Sequence, residues 1–231
     1  LRTIRSTVME IATVPAHYVI TALDALERQG WDRGQLLDRI GLPHEVLFGA
    51  KTRIPRSVYL RITGYLALKL QDECFGLLKE PMKPGTFAML CHASIACETL
   101  EHFLKRFLKY ASLTNHCATF DLTRKGKLAR LNVDPIEGMM YGEELYVMLS
   151  LSIAHRLSSW VIDQTITLDD VNLCCHRPDY ASDYNLLFHA PIKFEQHSNS
   201  LYFNAEYLDA RVTQNEDSLR VFLQESALQL M

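Results

Sequence analysis

The spacing of apolar residues changes from a helical period to a strand period near the middle of this 231-residue chain. Downstream of the change, the β-prone runs 117–123 and 127–133 are joined by Arg124-Lys125-Gly126, which predicts a hairpin with positive φ at the glycine. Upstream, intervals of three and four predict one face of a helix, formed by Leu100, Phe103, Leu104, Phe107, Leu108 and Ala111. A chain with both periods has to pack helices against a sheet.

Capping and breaking residues divide the remaining sequence into further helices. We predict a first helix that starts at Pro15 and ends before Gly30, because proline suits the first helical position. A second helix is predicted between an Asp32–Gln35 capping pair and Gly41. Apolar stripes predict the others, which are a helix that opens at Pro55, a short helix at 86–95, a helix at 142–161 and a last helix that starts at Asn215.

The second half of the chain also carries strand signals. The run 171–176 is predicted to be a strand, and the runs 192–195 and 201–204 are predicted to pair as a second hairpin around 196–200. Helices followed by antiparallel pairs indicate an α+β fold, a small antiparallel sheet of about four to five strands covered by several helices. We expect residues 1–231 to form one domain, because no linker or repeat interrupts them.

Composition argues against several classes of function. The net charge is −3, so the chain lacks the cationic excess with which DNA-binding surfaces hold phosphates. No apolar run approaches the roughly 18 residues that a membrane span requires, and no secretory signal is visible. We therefore predict a cytoplasmic protein without membrane contact. The six cysteines are scattered, which predicts buried, reduced thiols.

The sequence lacks the motifs of common enzyme classes. It has no glycine-rich nucleotide-binding loop, no nucleophile elbow and no metalloprotease helix. Cys174-Cys175-His176 is the most tempting cluster, and a metal site there would need further ligands such as His189 or His197. Structural thiols are the simpler interpretation. We predict no catalytic residue, no metal and no cofactor.

Aromatic residues and one histidine are the best candidates for a ligand-binding pocket. They fall near the junction of the predicted helices and the predicted sheet, where a pocket between the two layers would use them. Core packing is the alternative, because aromatic residues at helical spacing usually fill a core. The candidate ligand-binding residues are Tyr110, His116, Phe120, Tyr146 and Trp160.

The last predicted helix has a clear beginning and no clear end. Asn215 can cap it, and an apolar stripe that includes Leu219 and Phe222 comes next. Neither glycine, proline nor a basic last turn precedes Met231. We expect the natural protein to continue into a second domain beyond residue 231.

Three segments, in this order and at this spacing, resemble the N-terminal effector domain of one group of bacterial AraC-type transcription regulators. This group carries the label "arabinose-binding" and includes the ornithine-utilisation regulator. The similarity covers nearly the whole chain and depends on the order of the segments more than on any single motif. The segments are Tyr18–Leu42 with Gly30-Trp31-Asp32, Gly85–Tyr110 with Thr99-Leu100-Glu101, and Phe188–Asp209 with Phe188-His189-Ala190-Pro191-Ile192.

The resemblance implies a sensory function for the chain and a DNA-binding function for the expected second domain. In such regulators a C-terminal domain with two helix-turn-helix units binds DNA, so this chain would bind a small-molecule effector and form a homodimer. Promoter DNA would be contacted through the C-terminal domain expected beyond residue 231. Two alternatives stay open at this point: a small enzyme of unrecognised type, and a protein-interaction module without an effector.

Overall fold

The computed structural model describes residues 13–41, 53–114, 117–136 and 142–229. The α-helices in these ranges are α1 (His17–Arg28), α2 (Arg33–Ile40), α3 (Arg56–Leu70), α4 (Thr86–Ser94), α5 (Leu100–Thr114), α6 (Glu143–Val161), α7 (Ala181–Phe188) and α8 (Glu216–Gln229). The strands are β1 (Thr13–Pro15), β2 (Arg53–Pro55), β3 (Ala118–Lys125), β4 (Leu128–Pro135), β5 (Leu168–Asn172), β6 (Ile192–Lys193) and β7 (Ser200–Asn204). A 3-10 helix, Ala205–Asp209, comes directly after β7.

The helices cover one face of a five-stranded sheet with the order β3-β4-β7-β5-β6. Strands β3 and β4 form the predicted hairpin, with Phe120 opposite Val133, and Gly126 at the turn has a φ of +58°. Strands β4, β7 and β5 continue the antiparallel pairing, whereas β6 runs parallel to β5. A separate two-stranded sheet joins β1 to β2. The α+β prediction is confirmed.

The predicted second hairpin is wrong, because β5 lies between its two strands. Val171 is fully buried and is paired with Ile192 of β6 on one side and Leu201 of β7 on the other. The segment between β6 and β7 therefore does not reverse tightly. The amide of Gln196 donates to the carbonyl of Leu173, at 2.9 Å, so this segment passes over the end of β5 before it enters β7.

Strand β5, Leu168–Asn172, is also displaced from the predicted run 171–176, because it begins three residues earlier and ends at Asn172. The amide of Cys174 donates to the side-chain oxygen of Asn199, at 2.9 Å, instead of to a neighbouring strand. This side-chain bond replaces the ladder on the side of β7 only. On the side of β6 the backbone bonding continues, since the Leu173 amide donates to the Lys193 carbonyl at 2.8 Å and the Glu195 amide donates to the Cys175 carbonyl at 3.0 Å. Pro15 is not the first residue of a helix either, because it closes β1, and α1 begins two residues later.

The predicted helix ends are confirmed at three positions. The Asp32 carboxylate accepts a hydrogen bond from the Gln35 amide, at 2.8 Å, and caps α2. Gly41 ends the same helix with a φ of +71°, in the left-handed region that favours glycine. The side-chain oxygen of Asn215 accepts from the Asp217 and Ser218 amides at 3.0 Å and caps α8.

Helix α5 connects the helical layer to the sheet. Its predicted apolar face is buried throughout, and Leu100 and Phe103 have no exposed surface. Burying one side chain of this size contributes roughly 1.5–3 kcal/mol, so this face is a major source of stability. Helix α5 packs against β3 and α4, while α6 packs against β4. These contacts leave a space between the helices and the sheet.

A buried histidine lies where α1 meets α7. The His17 ring is 6% exposed and stacks on Tyr180, with ring centroids 3.9 Å apart. Neither ring nitrogen has a hydrogen-bond partner among the described residues. Burial lowers the pKa of His17 from 6.5 to about 4, although Asp183 opposes the shift and Arg53 adds to it. His17 is therefore neutral at pH 7, and its 3.8 Å approach to Asp183 is not an ion pair there.

We expect His17 to make the fold sensitive to acid. The unfolded chain binds a proton at this residue near pH 6.5, and the folded chain does so near pH 4, so the free energy of unfolding falls as the pH drops through this window. Between pH 7 and pH 5 the loss from His17 is about 2 kcal/mol. Urea unfolding at the two pH values measures it.

The variant His17→Gln should remove that part of the pH dependence, because glutamine does not titrate. His102→Gln is the matched control, since His102 is exposed on α5. Equal pH slopes for the wild type and His17→Gln would contradict the assignment.

Candidate functional site

The space between the helical layer and the sheet is a cavity of about 350 Å³. Helices α3, α5 and α6 form three of its sides, and β3 with β4 forms a fourth. Helix α4 and the segment 73–82 complete the lining. Gly64 and Thr114 line the cavity and are exposed, so the cavity opens to solvent beside them. Its lining from the helical layer includes Tyr59, Thr63, Gly64, Ala67, Phe87, Leu90, Phe107, Leu108, Ala111, Leu149 and Ile153.

Two adjacent carboxylates hold the segment 73–82 in place. Asp72 is 2% exposed, and its oxygens accept from the amides of Cys74, Gly76 and Met82 at 2.7–2.9 Å. A buried carboxylate with three such bonds fixes an otherwise irregular stretch of backbone. The stretch then presents the apolar side chains that form this wall of the cavity, namely Phe75, Leu77 and Met82.

Glu73 attaches the same segment to the start of α4. Its two carboxylate oxygens accept from the amides of Gly85, at 2.6 Å, and Phe87, at 2.9 Å. These amides belong to the first turn of the helix, where backbone N–H groups have no partner within the helix. A negative charge at a helix N-terminus is also favourable. Asp72 and Glu73 therefore position both the segment and α4 around the cavity.

The described cavity wall contains a few hydroxyl groups, which belong to Tyr59, Thr63, Thr114, Tyr146 and Ser150. The hydroxyl of Thr63 donates to the Tyr59 carbonyl, at 3.0 Å, and that of Thr114 donates to the Ala111 carbonyl, at 3.2 Å. Glu73 is the one charged residue among the described residues that line the cavity, and both its oxygens are already bonded. The described wall is therefore mainly apolar and carries no positive charge.

Gly64 lies inside α3, where glycine is unfavourable. A Cβ atom at this position would meet nothing within 4 Å, so packing does not require the missing side chain. Glycine in a helix interior costs roughly 0.5–1 kcal/mol relative to alanine. Because Gly64 has no side chain, the space beside α3 at the mouth of the cavity stays open.

Two of the sequence-predicted site residues line this cavity. Phe120 reaches it from β3 and Tyr146 from α6. Tyr110 lies on the outer side of α5, 37% exposed, and Trp160 stacks on Phe222 of α8 with ring centroids 4.2 Å apart. His116 lies outside the described residues. Ligand binding by these five residues stays a prediction.

Sequence reasoning missed the contribution of α3 to the cavity. Tyr59, Thr63 and Ala67 recur at intervals of four and share one face of that helix, with Gly64 beside them. A face that mixes an aromatic ring with small residues could have indicated a partly empty space. The apolar stripe of α3 includes Ile62 and Leu66, which are buried core residues and do not line the cavity.

The cluster Cys174-Cys175-His176 is not buried as the sequence predicted, since Cys174 is exposed and Cys175 is only partly buried. Burial and the nearby Glu144 raise the pKa of Cys175 to about 11, and burial and neighbouring carboxylates also raise that of Cys174. The reactive thiolate is thus disfavoured at neutral pH. His176 contacts Glu195 at 2.8 Å on the surface. Within the described ranges, no three His, Cys, Asp or Glu residues are placed to hold a metal ion.

The described helices also bear on membrane association. None of them combines the length and the apolar character that a bilayer crossing needs.

We expect Asp72→Ala to lower the free energy of unfolding by about 3 kcal/mol, because it leaves three amides without their acceptor. Urea unfolding measures the change. Asp121→Ala is the matched control, because the Asp121 side chain on β3 is 55% exposed, and it should cost less than about 0.5 kcal/mol. A similar cost for both variants would show that the Asp72 bonds do not organise the segment.

We expect Gly64→Ala to raise the free energy of unfolding by about 0.5–1 kcal/mol, since the new methyl group enters open space and alanine favours the helix. Gly126→Ala provides the contrast, because a φ of +58° strains an alanine and should lower stability. A loss of stability in Gly64→Ala would mean that the position is tightly packed.

Comparison with known proteins identifies the family of this domain. Residues 30–212 match the family model described as the arabinose-binding domain of AraC transcription regulators, N-terminal. A similar solved structure is that of the transcriptional regulator CdpR from Pseudomonas aeruginosa, with 13% sequence identity and a TM-score of 0.47. The alignment covers 91% of this chain and 61% of CdpR, so the chain spans less than two thirds of that protein. No curated protein is a significant match. From the family match, the chain belongs to the N-terminal arabinose-binding domains of AraC-type transcription regulators.

Proposed function

We propose that the cavity is the effector site of this regulatory domain and that its occupancy controls a DNA-binding domain elsewhere in the protein. The observation that carries the proposal is a cavity of about 350 Å³ between the two layers of a domain whose family is regulatory. Binding sites for small molecules have this size and a mainly apolar lining. The family is one of regulatory domains, which favours sensing over catalysis.

Three walls of the cavity also contact the last helix, namely α3, α4 and α6. Helix α4 supplies Phe87 and Leu90 to the cavity, and its His92 contacts Glu216 of α8 at 2.7 Å. Helix α6 supplies Leu149 and Ile153, and Trp160 near its end stacks on α8. A ligand that moves any of these walls therefore acts on α8 directly. This arrangement supports α8 as the output element.

The Trp160–Phe222 stack is the stronger of these two contacts. Phe222 is 3% exposed, and a buried aromatic pair of this kind contributes beyond the area that it buries. His92 and Glu216 are both substantially exposed, and surface pairs of this type contribute little. The carbonyl of Trp160 also accepts from the Gln214 side chain, at 3.0 Å, just before α8 begins. Transmission through α6 is thus the better-supported route.

The regulatory mechanism depends on linkage. An effector that prefers one arrangement of α6 and α8 shifts the population toward it, and the coupling is limited by that preference. A coupling of about 1–3 kcal/mol changes promoter affinity by about 5- to 150-fold. Dimerisation, promoter DNA as a partner, the C-terminal helix-turn-helix domain and the cytoplasmic location belong to this proposal, since paired DNA half-sites suit a symmetric dimer.

A test of the site combines a broad panel of metabolites with a variant that fills the cavity. Ala67→Phe places a large ring in the cavity, whereas Leu68→Phe adds a similar ring at the neighbouring position, 69% exposed and outside the lining. A compound present at 100 times its Kd should stabilise the wild type by about 2.7 kcal/mol in thermal unfolding. The same compound should stabilise Leu68→Phe and not Ala67→Phe.

The same assay distinguishes the alternatives. Conversion of a panel compound would indicate an enzyme. Co-purification of a protein partner without stabilisation by any compound would indicate an interaction module. Equal stabilisation of all three proteins would place the effector site elsewhere.

We expect Phe222→Pro to separate effector binding from its effect on DNA in a protein that carries the DNA-binding domain. Proline interrupts α8 and removes the ring that stacks on Trp160. Effector affinity should stay within about twofold, whereas the effector-dependent change in promoter affinity, about 5- to 150-fold, should disappear. Val221→Ala, at a 55% exposed position, is the control. An unchanged response in Phe222→Pro would show that α8 is only a tether.

A further inference from the structure

We propose that the ligand of the cavity is a neutral, mainly apolar molecule with one hydroxyl or carbonyl group, and not a sugar or a carboxylate. This inference rests on the proposed function and names the chemical class of its effector. It depends on which charges and hydrogen-bonding groups the described wall of the cavity presents to three classes of ligand: carboxylates, sugars and apolar molecules.

A carboxylate ligand finds no counter-charge in this wall. None of the described lining residues is lysine, arginine or histidine. The one charged lining residue is Glu73, which would repel an anion. An ionised group moved from water into an apolar site without a paired charge or sufficient hydrogen bonds carries a large penalty. An anionic ligand is therefore disfavoured by the wall itself.

A sugar finds too few hydrogen-bonding partners. Each buried hydroxyl that loses water without gaining a partner costs about 1–3 kcal/mol, and a pentose carries several hydroxyls. The protons of Thr63 and Thr114 are already donated to carbonyls of their own helices, and the oxygens of Glu73 already accept two amides. The other hydroxyls of the described lining belong to Tyr59, Tyr146 and Ser150, which is fewer polar groups than the several hydroxyls of a pentose, each both donor and acceptor, require. The word "arabinose" in the family description thus does not describe the ligand that this cavity fits.

An apolar molecule with a single polar group meets neither obstacle. The opposing walls present carbon surfaces, with Phe107 on α5, Leu131 on β4 and Ile153 on α6. The face of α3 carries Tyr59 and Thr63 one helical turn apart. The Thr63 oxygen, whose proton is donated within the helix, still has the capacity to accept a hydrogen bond from a ligand hydroxyl. The polar end of the ligand therefore lies against α3.

The test uses the neutral fluorophore N-phenyl-1-naphthylamine, whose emission increases in an apolar environment, with the 231-residue chain. Three competitors are compared at pH 8: 1-decanol, decanoate and L-arabinose. We expect 1-decanol to displace the probe at least about tenfold more effectively than decanoate, because only the latter brings a charge into the cavity. L-arabinose should not displace it.

A second variant supplies the missing cation at the cavity mouth. Gly64→Lys adds a positive charge where a side chain meets open space, and lysine favours the helix more than glycine does. Leu68→Lys adds the same charge one turn further on, outside the cavity lining. The affinity for decanoate relative to 1-decanol should rise at least about tenfold in Gly64→Lys and stay unchanged in Leu68→Lys.

The possible outcomes separate this inference from the proposed function. The proposed ligand class would be overturned if decanoate bound the wild type with the same affinity as 1-decanol, or if L-arabinose displaced the probe. Either result would still leave the cavity as the effector site. An identical change in both lysine variants, or none in either, would overturn the placement of the ligand beside α3. The proposed function itself fails if no compound of the broad panel depends on the cavity for its binding, or if the chain converts a compound of the panel.

Discussion

The hydrogen bonds that three backbone amides donate to the Asp72 carboxylate determine the shape of the functional part of this domain. The segment after α3 has no regular secondary structure to hold it, yet it forms one wall of the cavity and leads into α4. Charge-assisted bonds inside a protein are strong and directional, so a single buried side chain can replace a strand or a helix turn as an organiser of backbone. Glu73 extends the same arrangement to the first turn of α4. Without these two residues the sheet and the long helices could still form, but the space between them would lose a defined boundary.

Local sequence signals predicted the local structure well. The caps at Asp32 and Asn215, the buried face of α5 and the β3–β4 hairpin are all confirmed, because each depends on residues a few positions apart. The pairing of β5 with both β6 and β7 was not predictable in this way. It depends on contacts between residues that are distant in sequence, and two neighbouring strands always suggest a hairpin first. The short strands β1 and β2 and helix α7 gave no distinct pattern either.

The site was predictable only in part, for a similar reason. Phe120 and Tyr146 stand out as large aromatic residues on elements that meet, and both line the cavity. Tyr110 and Trp160 are also large aromatic residues on these elements, but Tyr110 faces solvent and Trp160 faces α8. The spacing of apolar residues does not show which element packs against each face of a helix. Gly64 and Ala67 give almost no signal, because an empty space is defined by atoms that are missing. The class of ligand depends on which polar groups of the cavity wall already have hydrogen-bond partners, and only the structure shows this.

The stack between Trp160 and Phe222 has a practical consequence. The chain contains two tryptophans, and the other, Trp31, precedes α2 and packs partly against the core. The emission of an indole depends on its exposure to water, so with Trp31 replaced by phenylalanine the remaining fluorescence would report the attachment of α8 to α6. The domain thus carries an intrinsic optical reporter at the contact through which a signal would leave it.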